Sequence, residues 1–282
     1  MMAKYAQIAV NYPPLDSILS YIIPEKMELK VGQLVKVPLG KRQEKGCVVE
    51  LVNETDVDFE KLKEINSIMT DDLMISTEDM GLYKWMARYY HYSLGKLIFD
   101  TLPKILKRPR PLEMYHGAGE EVEFQLTKEQ QEVVKGISQK GLDAFHKNYI
   151  HGVTGSGKTV VYLKLIQEVL ERGRSVLFLL PEINLTPQFI EVFTKYVKAE
   201  IYTYHSGISN SNRYGLWKLL QEDGKPKVIL GVRSSIFLPI RDLGLIIVDE
   251  EHDSSFKQDD RCTYNARDVA IKKASLWNIP VI

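Results

Sequence analysis

The sequence has only two cysteines, Cys47 and Cys262, and they lie far apart in the chain. Two distant thiols form neither a disulfide framework nor the closely spaced ligand pairs of a zinc site. We therefore expect a protein of a reducing compartment, and the cytoplasm fits best. The first residues, Met1 to Tyr5, run directly into a strand-like segment, which predicts no signal peptide.

The chain also lacks net charge and long apolar runs. Its 37 lysines and arginines balance its 37 aspartates and glutamates, so any contact with nucleic acid must depend on local basic patches. No run approaches the ~20 apolar residues that a membrane span needs, so we expect no membrane partner. At 282 residues, of which 44% are hydrophobic, the chain is long enough for two domains with their own cores.

Residues 1–105 form the first predicted domain, which is rich in β-structure. Short apolar stretches punctuated by glycine and proline predict strands of a small barrel or sandwich. These stretches are Tyr5–Val10, Leu19–Ile23, Gln33–Leu39 and Gly46–Val52. Lys41 to Lys45 would form a basic hairpin tip, which suits either a solvated turn or a phosphate contact.

The apolar residues change from alternate spacing to helical spacing, which predicts a helix between Ser76 and His91. Ser76 followed by two acidic residues is typical of a helix N-terminus. The aromatic run from Arg88 to Tyr92 suits either packing in the core, which is the commoner use, or the stacking of nucleic-acid bases. The proline-rich, basic stretch from Pro103 to Pro111 cannot hold a regular helix. We therefore place a linker at 106–123 and a second domain at 124–282.

The second domain alternates helices and strands, which predicts an α/β fold with a parallel sheet. A helix should run from Thr127 towards Ile137, and a helix from Lys158 to Arg172 should end at Gly173. A short strand should end at Ile150. Further strands are predicted at Ser175–Leu180, which is apolar throughout as a fully buried strand must be, and at Ile201–Tyr204, Lys227–Leu230 and Leu245–Val248.

One stretch has the spacing of a Walker A loop, or P-loop: Gly152-Val153-Thr154-Gly155-Ser156-Gly157-Lys158-Thr159. The glycines allow the backbone to present a run of N–H groups to a polyphosphate at the N-terminus of the following helix. Lys158 can reach the β and γ phosphates of ATP, and the Thr159 hydroxyl can bind Mg²⁺. The alternative is a glycine-rich turn before an ordinary helix.

The strand Leu245–Val248 delivers acidic residues at its carboxyl end, which is a Walker B arrangement. Asp249 would hold Mg²⁺ together with Thr159, and Glu250 would polarise the attacking water as general base. Lys158, Asp249 and Glu250 are therefore the candidate catalytic residues. Gln130, which precedes the P-loop, can offer an amide donor and acceptor to an adenine edge.

These motifs occur in an order that resembles superfamily 2 helicases and, more narrowly, the PriA family of primosomal replication restart helicases. The segments that carry the resemblance are Gln130, Gly152–Thr159, Leu180–Gln188, His205–Gly207, Gly231–Ser234, Asp249–Gln258 and Tyr264–Asp268. Val31–Gly40 and Tyr89–Gly95 extend it to the N-terminal half.

The resemblance implies a small β-rich domain that binds the 3′ end of the nascent leading strand at a fork, followed by a RecA-like motor lobe. It implies an ATP-dependent 3′-to-5′ DNA helicase that initiates primosome assembly. Its partners would be single-stranded and forked DNA, the primosome proteins and the single-stranded DNA-binding protein. By the same resemblance, Thr186, Gln188, Arg233 and Ser234 would face the single strand, and Phe256 and Tyr264 would stack on bases or simply pack.

Three departures from the family bear on function. Leu19-Ser20-Tyr21 stands where the family has an aromatic residue, aspartate and tyrosine, so a carboxylate that would recognise a terminal 3′ hydroxyl is missing. The linker is too short for a winged-helix domain. The chain stops where the family continues into a zinc module and a second motor lobe, so we expect zinc only in that missing part.

The second lobe would supply an arginine to the γ phosphate, a contribution worth roughly 10³- to 10⁵-fold in rate in related phosphoryl transfer. We therefore predict that residues 1–282 alone bind nucleotide weakly and hydrolyse it hardly at all. Two alternatives stay open: a P-loop ATPase that acts on partners other than DNA, and a DNA-binding fragment without enzymatic activity.

Overall fold

The computed structural model describes residues 4–12, 18–106, 114–118, 125–153, 155–222 and 224–282. The chain divides into two compact units between Ile105 and Leu106. Within the described ranges, no helix has the length and apolar character required to cross a bilayer.

The first unit is built on an antiparallel five-stranded sheet with the order β2-β1-β4-β3-β5. Its elements are β1 (Tyr5–Val10), β2 (Ile18–Ile22), β3 (Gln33–Leu39), β4 (Arg42–Val52), β5 (Ser67–Met74), α1 (Thr77–Tyr89) and α2 (Leu94–Thr101). Alternating apolar side chains of the strands, among them Ile8, Val35 and Val48, form its core. The four predicted strands and α1 are confirmed, whereas β5 and α2 were not predicted.

The turn between β3 and β4 is tighter than the sequence suggested. Leu39 pairs with Arg42, so the turn consists of Gly40 and Lys41 alone, and Arg42 to Lys45 lie in β4. Gly40 has a φ of 59°, a conformation that suits such a short turn and favours glycine. The predicted five-residue basic tip is therefore wrong.

Helix α1 begins as predicted, because the Ser76 side chain accepts a hydrogen bond of 3.0 Å from the Asp79 amide. The aromatic run at its end does not join the core. Tyr89 is 60% exposed and its ring stacks on Trp85 at a centroid distance of 5.0 Å. Packing in the core, the commoner interpretation of Arg88 to Tyr92, is thus wrong for Tyr89, whereas Tyr83 and Met86 of the same helix are buried.

The second unit is built on a sheet with the order β10-β7-β9-β8-β6, in which only the edge strand β6 is antiparallel. Its elements are β6 (Tyr115–His116), α3 (Lys128–Gln139), α4 (Lys158–Glu171), β7 (Ser175–Leu179), α5 (Pro187–Tyr196), β8 (Glu200–Tyr204), α6 (Asn210–Glu222), β9 (Lys227–Gly231), β10 (Leu243–Val248), β11 (Lys257–Gln258), β12 (Tyr264–Asn265) and α7 (Ala266–Trp277). Every residue of β7, β9 and β10 is buried, as the apolar run Ser175–Leu180 predicted. The predicted α/β class is confirmed.

Part of the predicted linker belongs to the sheet of the second unit. Tyr115 of β6 pairs with Ile201 of β8, and the Gly117 amide donates to the Ala199 carbonyl at 3.0 Å. This pairing is why residues 114–118 do not form a free connection. The linker residues 107–113 and 119–123 lie outside the described residues.

The predicted strand ending at Ile150 is reduced to a single bridge. Lys147 pairs in parallel with Val281, which itself pairs in parallel with Ile246 of β10. The segments around Lys147 and Val281 therefore continue the order of the sheet beyond β10. Because they run parallel to β10, the P-loop and the residues that follow β10 emerge at the same edge of the sheet.

Candidate functional site

The P-loop has the backbone that its glycines predict. Gly155 and Gly157 have φ values of 81° and 80°, in the region that favours glycine, and α4 begins directly afterwards at Lys158. A Cβ atom on Gly152 would lie 2.6 Å from the Ser156 hydroxyl. The loop is thus compact, and side chains at these positions would fill the space that a phosphate cradle needs. Thr154 lies outside the described residues.

Lys158 connects the P-loop to the acidic residues after β10. Its Nζ donates a hydrogen bond of 2.8 Å to the Gly152 carbonyl and lies 3.7 Å from Glu250 Oε1. Thr159, the next residue, is half-buried in the first turn of α4. The structure therefore brings together Lys158 and Glu250, two of the three predicted catalytic residues.

Asp249, the third predicted catalytic residue, is fixed directly after β10. Its backbone N–H donates to the Leu179 carbonyl at 2.9 Å, and its Oδ1 accepts a hydrogen bond of 3.2 Å from the Tyr162 hydroxyl. Burial raises the pKa of Asp249, and the neighbouring Glu250 charge raises it further, against the lowering effects of Tyr162 and Lys158. A half-buried carboxylate of this kind is stabilised by a nearby cation, which fits the predicted Mg²⁺ ligand.

Sequence reasoning gave Tyr162 no role, although it lies one helical turn after Lys158 and so on the same face of α4. Its ring is buried and packs edge-on against Phe178 at 5.5 Å. Burial raises the pKa of Tyr162, and the negative charge of Asp249 adds to the shift. The phenol therefore stays protonated and serves as a donor to Asp249.

The acidic turn after Asp249 is held by ion pairs and by its own backbone. Glu250 has a φ of 51°, which is unusual for a residue other than glycine. Glu251 forms an ion pair of 2.8 Å with Arg267 at the start of α7. The Asp253 amide donates to the Glu250 carbonyl at 2.8 Å, which closes the turn.

A cavity of about 800 Å³ lies between the P-loop and this acidic turn. Gly152, Lys158, Tyr162, Asp249 and Glu250 line it. Its volume is within the range of small-molecule sites. A space lined by a lysine and two carboxylates beside a glycine-rich loop suits the polyphosphate of a nucleotide and its divalent cation.

Gln130 lies beside the P-loop, but its amide is engaged there. The side chain accepts a hydrogen bond from the Thr127 amide at 3.0 Å in a capping box of α3. Its Nε2 donates to the Ser156 carbonyl at 3.2 Å. Recognition of adenine by Gln130 stays a prediction.

The residues predicted to face single-stranded DNA have different surroundings. Thr186 caps α5, accepting a hydrogen bond of 3.2 Å from the Phe189 amide, and Gln188 in the first turn of α5 is exposed. Arg233 donates to the Ser255 and Lys257 carbonyls at 3.0 and 2.9 Å, and Ser234 beside it is half-buried. Their contact with DNA stays a prediction.

Phe256 and Tyr264 do not have the surroundings that base stacking requires. Phe256 is completely buried, and Tyr264 is 7% exposed with its ring edge-on against Phe237 at 5.2 Å. Stacking on bases needs an open ring face. The structure corrects this prediction in favour of the alternative, in which both rings pack inside the second unit.

Comparison with known proteins finds two family models that match different parts of the chain. Residues 7–103 match the PriA family model described as "3'DNA-binding domain (3'BD)", and residues 123–276 match the model described as "Type III restriction enzyme, res subunit". A DNA-bound type ISP restriction-modification enzyme, LlaGI, is similar with a TM-score of 0.36 and 17% identity, over 49% of this chain and 16% of that one.

The similar curated proteins are replication restart proteins. The "Replication restart protein PriA" of Rickettsia conorii is 38% identical over 95% of this chain and 40% of its own length. The protein of the same name from Treponema pallidum is 34% identical over 100% of this chain and 43% of its own length. That of Synechocystis is 47% identical over 50% of this chain and 17% of its own length.

The chain spans about two fifths of the length of the first two of these relatives. The model of the type III restriction enzyme res subunit covers more than half of the chain. The model of the 3′ DNA-binding domain covers most of the rest. The chain therefore belongs to the family of the type III restriction enzyme res subunit, and its residues 7–103 are similar to the 3′ DNA-binding domain of PriA.

Proposed function

We propose that this chain carries the DNA-binding domain and the first ATP-binding lobe of an ATP-dependent 3′-to-5′ DNA helicase that acts in replication restart. The observation that carries the proposal is the meeting of the P-loop with the acidic turn. Lys158 Nζ lies 3.7 Å from Glu250 Oε1. Asp249 is oriented by a hydrogen bond from Tyr162, which lies in α4 together with Lys158.

The residues of the site have separable roles in this proposal. Lys158 leaves the Gly152 carbonyl and binds the β and γ phosphates of ATP, while the P-loop amides hold the phosphate oxygens. Asp249 and Thr159 hold Mg²⁺, which neutralises charge on the phosphates when it is bound. Glu250, whose Oε1 lies 3.7 Å from Lys158 Nζ in the nucleotide-free chain, accepts the proton of the attacking water.

The first unit supplies the contact with forked DNA in this proposal, and the match to a 3′ DNA-binding domain supports it. The position of the missing carboxylate is occupied by the Ser20 hydroxyl. This oxygen accepts a hydrogen bond of 3.0 Å from Gln7 Nε2 and lies 2.9 Å from the Thr55 hydroxyl. A neutral hydroxyl that is already bonded offers a terminal 3′ hydroxyl a weaker partner than a carboxylate does.

The proposal extends to the setting in which the longer protein works. By the resemblance to the PriA family, its partners would be the primosome proteins and the single-stranded DNA-binding protein. The side chains of Cys47 and Cys262 are buried and form no disulfide bond, which supports a cytoplasmic location. No cluster of three or more metal-binding side chains occurs among the described residues, and zinc remains a prediction for a region outside them.

ATP hydrolysis in the presence and absence of single-stranded DNA tests the proposal. We expect DNA-stimulated turnover by the longer protein that contains this chain, and its loss in Lys158→Ala. Residues 1–282 alone should bind nucleotide weakly and show almost no turnover, since the arginine of a second lobe is worth roughly 10³- to 10⁵-fold.

Three results would contradict it. Turnover by the longer protein that is equal with and without DNA would favour a P-loop ATPase that acts on other partners. Rapid, DNA-dependent turnover by residues 1–282 would show that the first lobe needs no second lobe. DNA binding with no turnover in either protein would leave a DNA-binding fragment as the function.

A further inference from the structure

A second cavity lies at an edge of the sheet in the second unit, away from the nucleotide site. Its volume is about 300 Å³, and Tyr115, Thr203, His205, Ser209 and Asn212 are among the residues that line it. Of the described residues, none lines both this cavity and the one beside the P-loop, and two strands separate β8 from β10. The cavity is therefore a separate site, and its size suits a small ligand.

The cavity lies beside an edge of β8 that β6 covers only in part. Tyr115, the first residue of β6, pairs with Ile201. Successive residues of a strand direct their backbone groups to opposite sides, so Thr203 directs its N–H and C=O to the same edge as Ile201 does. The Tyr204 carbonyl accepts a hydrogen bond from the Val232 amide on the side of β9, as this alternation requires. Within the described ranges, no strand pairs with Thr203 on the side of β6.

This edge offers one backbone donor and one backbone acceptor side by side in a fixed direction. The Watson–Crick edge of each nucleobase carries an acceptor next to a donor, so a base can bond to both groups at once. An added peptide strand would need a row of such groups. Here only Thr203 is available between Ile201, which β6 already pairs, and Tyr204, where β8 ends. The edge therefore suits a single planar ligand better than a strand.

Polar side chains at the start of α6 and just before it line the same cavity. His205 Nδ1 accepts a hydrogen bond of 3.2 Å from the Gly207 amide, which leaves Nε2 as the N–H donor of the neutral ring. The Asn212 backbone amide donates to the Ser209 hydroxyl at 3.1 Å. The Asn212 side chain has no hydrogen-bond partner among the described residues, so its amide can serve as donor and acceptor for a ligand.

The loop between β8 and α6 is held in place before any ligand binds. Arg213 Nη2 donates to the carbonyls of His205 and Ser206 at 2.6 and 3.1 Å. The same guanidinium lies over the ring of Tyr204 at 5.1 Å from its centroid. A site that is ordered in advance loses less conformational freedom on binding, so these contacts favour affinity.

The character of the lining favours an uncharged, planar ligand. No aspartate, glutamate, lysine or arginine is among the described residues that line the cavity. Tyr115 lines it and is 44% exposed. An exposed aromatic ring is a surface on which the flat face of a nucleobase stacks.

We propose that this cavity binds a single nucleobase, which bonds to the Thr203 backbone and the Asn212 side chain and stacks on Tyr115. The base belongs either to a free nucleoside or to a DNA strand, two sources with the same chemistry. The inference goes beyond the proposed function, because it concerns neither the hydrolysis of ATP nor the contacts with DNA that are proposed above.

NMR of the ¹⁵N-labelled 282-residue chain, titrated with deoxyadenosine and with oligo(dA), tests the proposal. We expect at least one probe to shift the resonances of the Thr203 amide and the Asn212 side-chain amide. A shift with deoxyadenosine identifies a site for a free nucleoside, and a shift with oligo(dA) alone identifies a base of a strand. An abasic oligonucleotide of the same length carries phosphates without bases and should leave both resonances unshifted.

Two pairs of variants sharpen the test. Asn212→Ala should weaken binding of the active probe about tenfold. Its matched control is Asn210→Ala, at an exposed residue of the same helix turn that does not line the cavity, and this variant should stay within about twofold. Tyr115→Phe keeps the ring and should bind as well as the unmodified chain, whereas Tyr115→Leu should lose about tenfold. Circular dichroism verifies that each variant is folded.

Three results would overturn the inference. The first is no shift at Thr203 and Asn212 with either probe, and the second is an equal shift with the abasic oligonucleotide. The third is equal affinity of Asn212→Ala and Asn210→Ala for the active probe. Each of these results leaves the proposed function standing, because DNA-stimulated ATP hydrolysis tests that function separately.

Discussion

The hydroxyl of Tyr162 donates a hydrogen bond of 3.2 Å to Oδ1 of Asp249, and this bond joins the P-loop helix α4 to the residue that follows strand β10. Tyr162 lies one turn after Lys158, so a single face of α4 supplies both the Lys158 ammonium and the hydroxyl that orients the half-buried Asp249 carboxylate. Partners of this type fix the direction of metal ligands, and their loss costs about 10- to 100-fold in metal affinity or activity.

We therefore predict that Tyr162→Phe raises the Mg²⁺ concentration needed for nucleotide binding about tenfold. The phenyl ring keeps the edge-on packing against Phe178, so the fold should be unchanged. Binding of a fluorescent ATP analogue, titrated with Mg²⁺, measures the effect. Tyr202→Phe, at a buried tyrosine of β8 that bonds to Glu200, is the matched control and should not change the requirement. An unchanged requirement in Tyr162→Phe would show that Asp249 needs no such partner.

A second prediction concerns the stability of the nucleotide-free chain. Burial raises the pKa of Asp249 above its ordinary value of 3.8, so the folded state binds this proton more tightly than the unfolded state does. The stabilising effect of this group is present at low pH and is lost as the pH rises through the folded pKa. At pH 7 the ionised carboxylate therefore opposes folding.

Asp249→Asn removes that charge and leaves an oxygen that can still accept from Tyr162. We expect Tm at pH 7 to rise by about 2 °C, the scale of one stabilising substitution, and the gain to shrink towards pH 4. Thermal unfolding at both pH values measures it. The exposed Asp56→Asn serves as control and should show no gain. A lower Tm for Asp249→Asn at pH 7 would mean that Lys158 more than offsets the burial of this carboxylate.

The features that the sequence predicted well are those in which consecutive residues determine the structure. The P-loop follows from a glycine-rich motif before α4, and the acidic turn follows from a short motif after the buried strand β10. The C′ glycine Gly173, with a φ of 73°, ends α4 as predicted. The burial of β7 likewise follows from its uninterrupted apolar run.

The features that the sequence did not predict depend on contacts between distant segments. Arg233 and Ser255 lie far apart in the sequence and meet only in the folded second unit. The charge of Arg233 therefore suggested a contact with DNA, whereas in the structure its guanidinium donates a hydrogen bond to the Ser255 carbonyl. Aromatic residues in a loop have no periodicity that reveals burial, which is why base stacking by Phe256 was an open alternative. The two residues of β6 are too short a strand to leave a pattern, and only their pairing with β8 defines them.

A third prediction separates the backbone requirement of the P-loop from its chemical role. Gly155 and Gly173 have φ values of 81° and 73°, and a Cβ atom on either would meet no other atom within 4 Å. Alanine at either position should therefore lower the free energy of unfolding by a similar amount, about 1 kcal/mol. Only Gly155→Ala should lose nucleotide binding, since only Gly155 belongs to the P-loop, whose residues Gly152, Val153 and Lys158 line the cavity.

Urea unfolding and nucleotide binding of the two variants provide the comparison. Gly157→Ala should lower the free energy of unfolding more than either of these substitutions does. Its Cβ would lie 2.5 Å from Gln130 Nε2, and its φ of 80° is also strained for alanine. Nucleotide affinity that falls equally in Gly155→Ala and Gly173→Ala would trace the loss to general destabilisation and contradict a specific role of the P-loop backbone.

The last prediction concerns the end of the DNA strand. The resemblance to the PriA family leads us to expect a carboxylate at the position of Ser20, whose hydroxyl is engaged with Gln7 and Thr55. We expect the 282-residue chain to bind forks with a 3′ hydroxyl and forks with a 3′ phosphate with Kd values within about twofold. Ser20→Asp introduces an anion that accepts a hydrogen bond from the hydroxyl and repels the phosphate, so it should favour the hydroxyl end about tenfold. Ser20→Asn introduces a side chain of nearly the same shape as aspartate but without its charge, so it should not favour the hydroxyl end. Fluorescence anisotropy with both fork types measures the ratio, and a tenfold preference in the unmodified chain would show that another group recognises the 3′ hydroxyl.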